Sequence, residues 1–239
     1  MRERSFFYYD VLDSTMQEYQ RLKDHHKGLM SIRCGEQDDG VGRDKHIWLS
    51  PRGGLWFTFD IKYSGFVPSF GLFTGYCVHR ELCRLFSPLG DKLQIKWTND
   101  IIYDGKKLGG LLCKSHPGTY TIGIGLNTNN EIDSALGKFG ATSLKSILGC
   151  DVSNEHLCYN LIESVERNVK LLDHEITYIT YCNEHLFGKD CLAMIDVGTE
   201  PFEAELLGID LKGALIVRKK MGEILNLSTG SILSIKAFS

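Results

Sequence analysis

Apolar and polar residues alternate along several segments in the first half of the chain, and such alternation predicts β-strands. The segments with this pattern are FFYYDVLDST, GLMSIRC, IWLSP, GLWFTFDIKY and TYTIGIGLNTN. A hairpin is predicted in IKWTNDIIYDGKKLGGLLCK, because an Asp-Gly pair at 104–105 between two strand-like runs favours a two-residue type I′ turn. This turn places Asn99 and Asp100 opposite the Gly109-Gly110 pair.

Other segments have the spacing of helices, with apolar residues three or four positions apart. A helix is predicted directly after the first strand, with Ser14 or Thr15 as its N-cap. A buried helix is predicted within residues 68–86 and a short helix in ATSLKSILG at 141–149. A longer helical region is predicted over residues 153–186.

The pattern changes after residue 187. Five short apolar segments follow, CLAMIDV, FEAELLGI, ALIVRKK, EILNLS and SILSIKA, with turn residues between them. Regularly spaced short strands of this kind are typical of a small all-β barrel. We therefore predict two domains: a catalytic α+β domain over residues 1–187 and a small C-terminal β-barrel over residues 188–239.

Composition and charge narrow the possible functions. The 239 residues are 43% hydrophobic and 24% charged, with a net charge of −3. This balance argues against nucleic acid as the main partner, because proteins that bind nucleic acid favour a basic face. No apolar run approaches the ~20 residues that span a bilayer, and the start of the chain lacks a signal-peptide pattern. No membrane association is expected.

Eight cysteines are the unusual feature of the composition. No two have the CxxC spacing of zinc sites, and Cys182-Asn-Glu-His185 is an isolated half-match, so no metal site is predicted. In a chain of this length without a signal peptide, the cysteines are expected to be reduced thiols that pack as small hydrophobic side chains. Reduced thiols point to the cytoplasm.

Two strands rich in glycine give the first indication of a ligand site. The Gly109-Gly110 pair lies where a strand normally places side chains, and Gly123 and Gly125 alternate with apolar residues before Asn127. Glycine in a strand usually marks the close approach of another backbone or of a ligand. Lysines beside this cleared surface indicate an anionic ligand. For the hairpin alone, a β-bulge beside a solvated lysine-rich turn is an open alternative.

The loop GEQDDGVGRDKH, residues 35–46, contains the other candidate elements. Its only apolar residue is Val41, so we expect it to be exposed. The backbone N–H groups of Gly40 and Gly42 can bind phosphate oxygens, and Arg43 can pair with them through two parallel hydrogen bonds. A mobile surface loop without a ligand is the alternative.

Taken in order, these segments resemble the motifs of the biotin protein ligases. The corresponding segments are Asp13-Ser14-Thr15, GVGRDKHIWLSPRGGLWFTF, IKWTND, KLGGLLCK and GIGLNTN, and the resemblance covers nearly the whole chain. It implies a class II synthetase-like fold, in which a mixed or antiparallel sheet is flanked by helices, and an SH3-like form for the C-terminal barrel. The first motif starts by residue 13, which implies the single-function type without an N-terminal DNA-binding domain.

The resemblance also implies a two-step ligase reaction that forms an amide bond. The carboxylate of biotin attacks the α-phosphate of ATP, which is supplied with Mg²⁺, and biotinyl-5′-AMP and pyrophosphate form. A lysine amine on the biotin carboxyl carrier domain of a carboxylase then attacks the mixed anhydride. The resemblance places Lys96 against the biotin carboxylate and the α-phosphate, and Arg43 at the reacting centre. We expect Lys96 to be accessible from the surface.

Further residues are assigned to the substrates by the same resemblance. The residues for biotin, with Lys96, are Ser14, Thr15, Gln37, Gly53, Gly54, Trp56, Gly109 and Gly123. The residues for the nucleotide are Gly40, Gly42, Arg43, Asn99, Lys107 and Asn127. Trp48 and Trp56 can equally be core residues. No tightly bound prosthetic group is implied, and the protein is expected to be a monomer or a homodimer.

Several positions depart from the family pattern. Met16 stands where an asparagine often follows Ser-Thr, and Val41, Asp44 and His46 stand where the loop of bacterial members is often basic. Arg43 is therefore the only arginine in the loop. We expect weaker retention of the adenylate, or a different action of the loop.

Two alternatives remain open. A lipoate–protein ligase has a similar fold and the same adenylation chemistry, although this chain has no RRxSGGG segment. A non-catalytic sensor of biotin or nucleotide would bind its ligand without transferring biotin to a carrier.

Overall fold

The computed structural model describes residues 4–43, 46–132 and 140–236. The strands are β1 Arg4–Leu12, β2 Leu29–Gln37, β3 Leu55–Lys62, β4 Leu93–Lys96, β5 Asp100–Tyr103, β6 Lys106–His116, β7 Thr119–Leu126, β8 Leu192–Asp196, β9 Phe202–Ile209, β10 Leu215–Lys219, β11 Ile224–Leu227 and β12 Ser231–Lys236. The helices are α1 Thr15–Leu22, α2 Phe70–Leu85, α3 Leu144–Leu148, α4 Asn154–Asn168 and α5 Glu175–Glu184, with 3₁₀ turns at Ser87–Lys92 and Val169–Asp173.

The first seven strands form one mixed sheet in the order β1-β2-β3-β7-β6-β5-β4. β1 and β2 are parallel, whereas β2–β3, β3–β7, β6–β7 and β4–β5 are antiparallel pairs. The predicted α+β class with a mixed sheet and flanking helices is therefore confirmed. No helix of the described residues is long and apolar enough to cross a membrane.

The last five strands form an antiparallel sheet in the order β11-β10-β9-β8-β12. All five strands predicted after residue 187 are present. The predicted small β-barrel is an antiparallel five-stranded sheet with β11 and β12 at its edges, so it does not form a closed barrel in the described part of the chain.

The described residues divide into two compact units. The first contains residues 4–43, 46–66, 108–132 and 141–167. The second contains residues 67–107, residue 140 and residues 168–236. The C-terminal sheet belongs to the second unit together with α2, β4, β5 and α5. The predicted boundary at residue 188 stays a prediction.

Three predicted elements differ from the structure. IWLSP forms only isolated bridges, at Ile47 and Ser50, instead of a strand. The strand expected before the Asp-Gly turn is two strands, β4 and β5, joined by a turn at 97–99, so Asn99 lies outside the strand that was expected to face Gly110. The helical region from residue 153 is interrupted by a 3₁₀ turn and a non-helical His174.

The Asp-Gly hairpin turn is present as predicted. Asp104 has φ +49° and Gly105 has φ +78°. A two-residue turn with positive φ at both positions is type I′, and its twist matches that of the strands it joins.

A buried ionic network joins the strands of the first unit. Arg4 donates to the carbonyls of Met30 and Asp60, at 2.7 Å each, and to the Glu166 carboxylate at 2.7 Å. The Asp60 carboxylate accepts from the Met30 N–H at 2.8 Å and from the Tyr19 hydroxyl at 3.1 Å. Burial, with the nearby Asp60 carboxylate, raises the pKa of Tyr19 to about 12. The network connects β1, β2, β3, α1 and α4.

We expect Asp60→Ala to destabilise the protein strongly. The substitution leaves the Arg4 guanidinium, whose side chain is 4% exposed, without its buried carboxylate neighbour, and breaking a buried ion pair typically costs about 3–5 kcal/mol. Urea denaturation measures the loss. Asp151→Ala is the control, because the Lys145–Asp151 pair is exposed and exposed pairs contribute little. Equal effects of the two substitutions would contradict the role given to Asp60.

Candidate functional site

A chain of polar side chains starts at α1 in the first unit. The side-chain oxygen Oε1 of Gln37 accepts from the Thr15 N–H at 2.8 Å and from the Thr15 hydroxyl at 3.1 Å. Thr58 donates to the Thr15 hydroxyl at 2.9 Å, and the Gln37 amide nitrogen donates to Ser50 Oγ at 2.6 Å. Each bond fixes the orientation of the next group. Thr15 and Gln37, both predicted to contact biotin, are therefore brought together, with Gln37 at the end of β2.

Ser14 lies directly beside this network. The residue is 1% exposed and is the N-cap of α1, as predicted, but its hydroxyl makes no capping hydrogen bond. Its Oγ atom is buried and has no hydrogen-bond partner among the described residues. A buried hydroxyl without a partner costs about 1–3 kcal/mol. Such a group next to Thr15 and Gln37 suits a polar ligand that would complete its hydrogen bonds.

The glycines of β7 lie under two large side chains. An ideal Cβ on Gly125 would be 2.5 Å from Trp48 Nε1, and one on Gly123 would be 3.0 Å from Met16 Sδ. Side chains at these positions would displace Trp48 and Met16, so the glycines allow both residues to lie close to the strand. The predicted cleared surface is covered by these two residues in this structure.

The other predicted wall glycines also have close neighbours in the first unit. An ideal Cβ on Gly109 would be 2.8 Å from the Gly125 carbonyl, and one on Gly54 would overlap the Trp56 ring. Gly53 has φ +99°, a conformation that favours glycine. Trp56 is fully buried, and its Nε1 donates to the Pro51 carbonyl at 3.0 Å. Packing alone therefore accounts for Trp56, and its contact with biotin stays a prediction.

The candidate phosphate loop is folded on itself. Gly42 N–H donates to the His46 carbonyl at 2.8 Å, and His46 N–H donates to the Arg43 carbonyl at 2.9 Å. The Gly42 N–H, predicted to be available for phosphate, is thus used within the loop in this structure. Val41 forms a bridge with Ile47, and Asp44 lies outside the described residues.

Gly40 and Asn127 are fixed by their surroundings in the first unit. The Gly40 carbonyl accepts from the Trp48 N–H at 2.7 Å, and an ideal Cβ on Gly40 would overlap the Trp48 carbonyl. Asn127 follows β7 and is 9% exposed. Its side-chain oxygen accepts from Asn130 at 3.1 Å, and its N–H donates to the Leu108 carbonyl at 2.9 Å.

Two lysines share one carboxylate in the second unit. Lys107 Nζ is 2.8 Å from one Asp100 oxygen, and Lys96 Nζ is 3.7 Å from the other. The side chains of Lys96 and Asp100 are only 11% and 15% exposed. The expectation of a surface-accessible Lys96 is therefore wrong. The three groups together carry an excess of one positive charge, which suits an anionic ligand.

Asp100 is the member of this cluster that the sequence prediction missed as a site residue. Lys96 and Asp100 are directly paired between β4 and β5. No local sequence signal marks the turn at 97–99 that brings residues 96 and 100 opposite each other. Asn99 belongs to that turn and accepts from the Thr98 hydroxyl at 3.3 Å.

The predicted site residues are divided between the two units. Lys96, Asn99 and Lys107 belong to the second unit, and the other predicted site residues belong to the first. Arg43 is half-buried at the candidate loop of the first unit.

The cysteines are free thiols, as predicted. Burial raises the pKa of Cys34 and of Cys182 to about 12, so both behave as apolar side chains. No group of three or more His, Cys, Asp or Glu among the described residues could hold a metal ion.

Two biotin–protein ligases of other organisms align with this chain over different shares of their length. An Arabidopsis thaliana protein named biotin–protein ligase 2 is 32% identical over an alignment of 101 residues, which covers 38% of this chain and 31% of that relative. A biotin–(acetyl-CoA-carboxylase) ligase of Paracoccus denitrificans is 27% identical over 225 residues, with 88% of this chain and 92% of the relative covered.

A solved structure with a similar fold is the biotin protein ligase from Aquifex aeolicus in complex with biotin and ATP. It superposes with a TM-score of 0.81 at 23% identity, covering 97% of this chain and 98% of that chain. The family model described as the biotin/lipoate A/B protein ligase family matches residues 8–129, just over half of the 239 residues. This chain therefore belongs to the biotin/lipoate A/B protein ligase family.

Proposed function

We propose that this protein activates biotin with ATP to form biotinyl-5′-AMP and then transfers biotin to a lysine of a biotin carboxyl carrier protein or domain. In the first step, a biotin carboxylate oxygen bonds to the α-phosphorus, and the bond from that phosphorus to the bridging oxygen breaks. Pyrophosphate leaves. In the second step, a lysine amine attacks the acyl carbon, AMP leaves, and the amine loses a proton.

The buried Ser14 hydroxyl is the observation that favours biotin over lipoate as the acid substrate. Biotin has a ureido ring with one acceptor and two donors, whereas the dithiolane ring of lipoate offers no comparable hydrogen bonds. The Ser14 hydroxyl lacks a partner, and it lies beside the hydrogen-bonded Thr15 and Gln37. A polar ring would satisfy Ser14, and an apolar ring would leave it without a hydrogen bond.

The excess charge around Asp100 supports adenylation. A carboxylate and a triphosphate repel each other, and fixed cations in a partly dry site oppose this repulsion as negative charge grows on the leaving pyrophosphate. We assign this role to Lys96 and Arg43, with Lys107 on the nucleotide side. Asp100 holds both lysines, so the ammonium groups are already placed before the substrates arrive.

Mg²⁺ enters the proposed reaction as part of the ATP complex. Mg²⁺ bound to nucleotide keeps several waters and needs only one or two protein carboxylates. The absence of a cluster of three acidic or metal-binding side chains among the described residues is compatible with this mode. We propose Asn99, Asn127 and the Gly40–Gly42 segment as further contacts to the nucleotide.

The proposed walls for biotin are Gly53, Gly54, Gly109 and Gly123, with Trp56 behind Gly54. The acceptor would be the carrier domain of a carboxylase. We place the reaction in the cytoplasm, which the eight free thiols support because disulfides are rare there.

The proposal is tested by ATP–pyrophosphate exchange with the purified protein. Biotin should drive the exchange, and lipoate should not, because only biotin satisfies the polar group at Ser14. Exchange driven by lipoate alone would identify a lipoate ligase. Biotin binding without exchange or transfer to a carrier would identify a sensor.

We expect Lys96→Met to reduce the biotin-dependent exchange rate about 100- to 1000-fold, the loss typical for one donor to a developing negative charge. The fold should persist, because Asp100 keeps its contact with Lys107 at 2.8 Å. Lys92→Met is the matched control, since Lys92 is an exposed lysine of the same segment paired with Asp104, and its exchange rate should stay within about twofold. Near wild-type exchange by the Lys96 variant would remove Lys96 from the mechanism.

We expect Ser14→Ala to weaken biotin binding about fivefold to tenfold without lowering stability. The free protein loses no internal hydrogen bond of this hydroxyl, whereas one net hydrogen bond to the ligand is worth about 0.5–1.5 kcal/mol. Calorimetric titration with biotin and urea denaturation measure the two quantities.

Ser143→Ala is the matched control for Ser14. Ser143 is also an N-cap, but its hydroxyl accepts from the Ser146 N–H at 3.3 Å. Its loss should cost about 1 kcal/mol of stability and leave biotin affinity within about twofold. Unchanged biotin affinity in the Ser14 variant would argue against the proposed ureido contact.

A further inference from the structure

The C-terminal sheet contacts the turn that follows Lys96. Trp97 is the first residue of that turn and is 2% exposed. Its indole Nε1 donates to the Gly213 carbonyl at 2.9 Å. Gly213 belongs to the hairpin turn between β9 and β10. This turn therefore provides the hydrogen-bond acceptor for the buried indole of Trp97.

Gly213 lies so close to Ser69, the residue before α2, that a side chain at position 213 would not fit. It has φ +84°, and an ideal Cβ would lie 2.8 Å from Ser69 Cβ and 2.9 Å from Ser69 Cα. Ser69 precedes α2 and is itself held by a 2.6 Å hydrogen bond between its hydroxyl and that of Tyr178. The position of Gly213 is therefore set by backbone contact as well as by the hydrogen bond to Trp97.

The turn that carries Gly213 is fixed at both of its ends. The Asp210 carboxylate accepts from the N–H groups of Lys212 and Ala214, at 2.9 Å each, and from the Asn226 side chain at 2.9 Å. These hydrogen bonds contribute to a pKa of Asp210 below its usual value, against the opposing effect of burial. Asp210 therefore stays ionised and holds the turn.

A second anchor joins this strand end to α5. The Asn183 side chain donates to the Ile209 carbonyl at 2.9 Å and accepts from the Ile209 N–H at 2.7 Å. The Gly213 carbonyl is thus presented to Trp97 by a turn that cannot shift without breaking contacts with α5 and α2.

We propose that the β9–β10 turn, residues 210–214, positions Lys96 and Asn99 for adenylation by holding Trp97 through the Gly213 carbonyl. Lys96 immediately precedes Trp97, and Asn99 closes the same three-residue turn. A fixed indole sets the path of the backbone on both sides, and with it the direction of the Lys96 side chain toward Asp100. Trp97 and Gly213 are positioning residues in this account, which rests on the proposed adenylation function.

The chain contains a matched control for Gly213. Gly222, in the β10–β11 turn, has φ +86°, and a Cβ there would meet no atom within 4 Å. The two turns share one backbone hydrogen bond of the same kind: Gly213 N–H donates to the Asp210 carbonyl at 2.9 Å, and Gly222 N–H donates to the Lys219 carbonyl at 2.8 Å. Alanine therefore introduces similar backbone strain at both positions, but only at 213 does it push against Ser69.

The test compares Gly213→Ala, Gly222→Ala and Trp97→Phe in the chain of 239 residues. We expect Gly213→Ala to lower kcat for ATP–pyrophosphate exchange at least tenfold and Gly222→Ala to stay within twofold of wild type. Trp97→Phe keeps an aromatic ring but loses the indole N–H, and we expect a threefold to tenfold loss. Transfer from chemically prepared biotinyl-5′-AMP to a carrier should stay within threefold in all three variants.

Two outcomes would overturn the inference. Exchange by the Gly213 and Trp97 variants at the rate of the Gly222 variant would show that the contact does not position the site. An equal loss of exchange and transfer would show that the contact only maintains the fold.

The wild-type measurement separates this inference from the proposed function. If lipoate replaces biotin as the acid that drives exchange, the proposed substrate is wrong, and the same three variants are compared with lipoate and lipoyl-AMP. If neither acid drives exchange, the proposed function and the inference both fail.

Discussion

A buried polar group without a hydrogen-bond partner costs about 1–3 kcal/mol, and this constraint determines the polar positions on which the fold and the candidate site depend. The buried Asp60 carboxylate pairs with Arg4 and accepts hydrogen bonds from the Met30 N–H and the Tyr19 hydroxyl. Ser14 is equally buried but has no partner among the described residues. The same rule that explains the core network therefore indicates where a ligand would add a hydrogen bond.

The constraint on buried charge also explains the arrangement around Lys96. An ammonium group that is mostly removed from water needs a carboxylate nearby, and Asp100 lies 3.7 Å away on the paired strand. Because Asp100 also pairs with Lys107 at 2.8 Å, one carboxylate keeps two cations in place without neutralising both. A single acid can thus maintain a cationic site that is rigid before an anionic substrate binds.

Local signals were sufficient for much of the fold. The Asp-Gly pair at 104–105 determines its own turn, because the conformation depends on two adjacent residues. The turn at 97–99 has no such signal and was missed, so Asp100 was not recognised as the partner of Lys96. The Trp97–Gly213 hydrogen bond spans 116 residues of sequence, and no local pattern could indicate which carbonyl would receive the indole N–H.

The glycines show why a motif alone does not identify a ligand surface. Gly123 and Gly125 match a ligand-binding motif, yet in this structure their lack of side chains allows Met16 and Trp48 to lie against β7. A ligand on this face must either lie against these side chains or displace them. Met16 is therefore more than a missing polar contact relative to the family pattern. Because its sulfur would lie 3.0 Å from a Cβ at Gly123, the size of residue 16 would limit the space for a ligand on this face of β7.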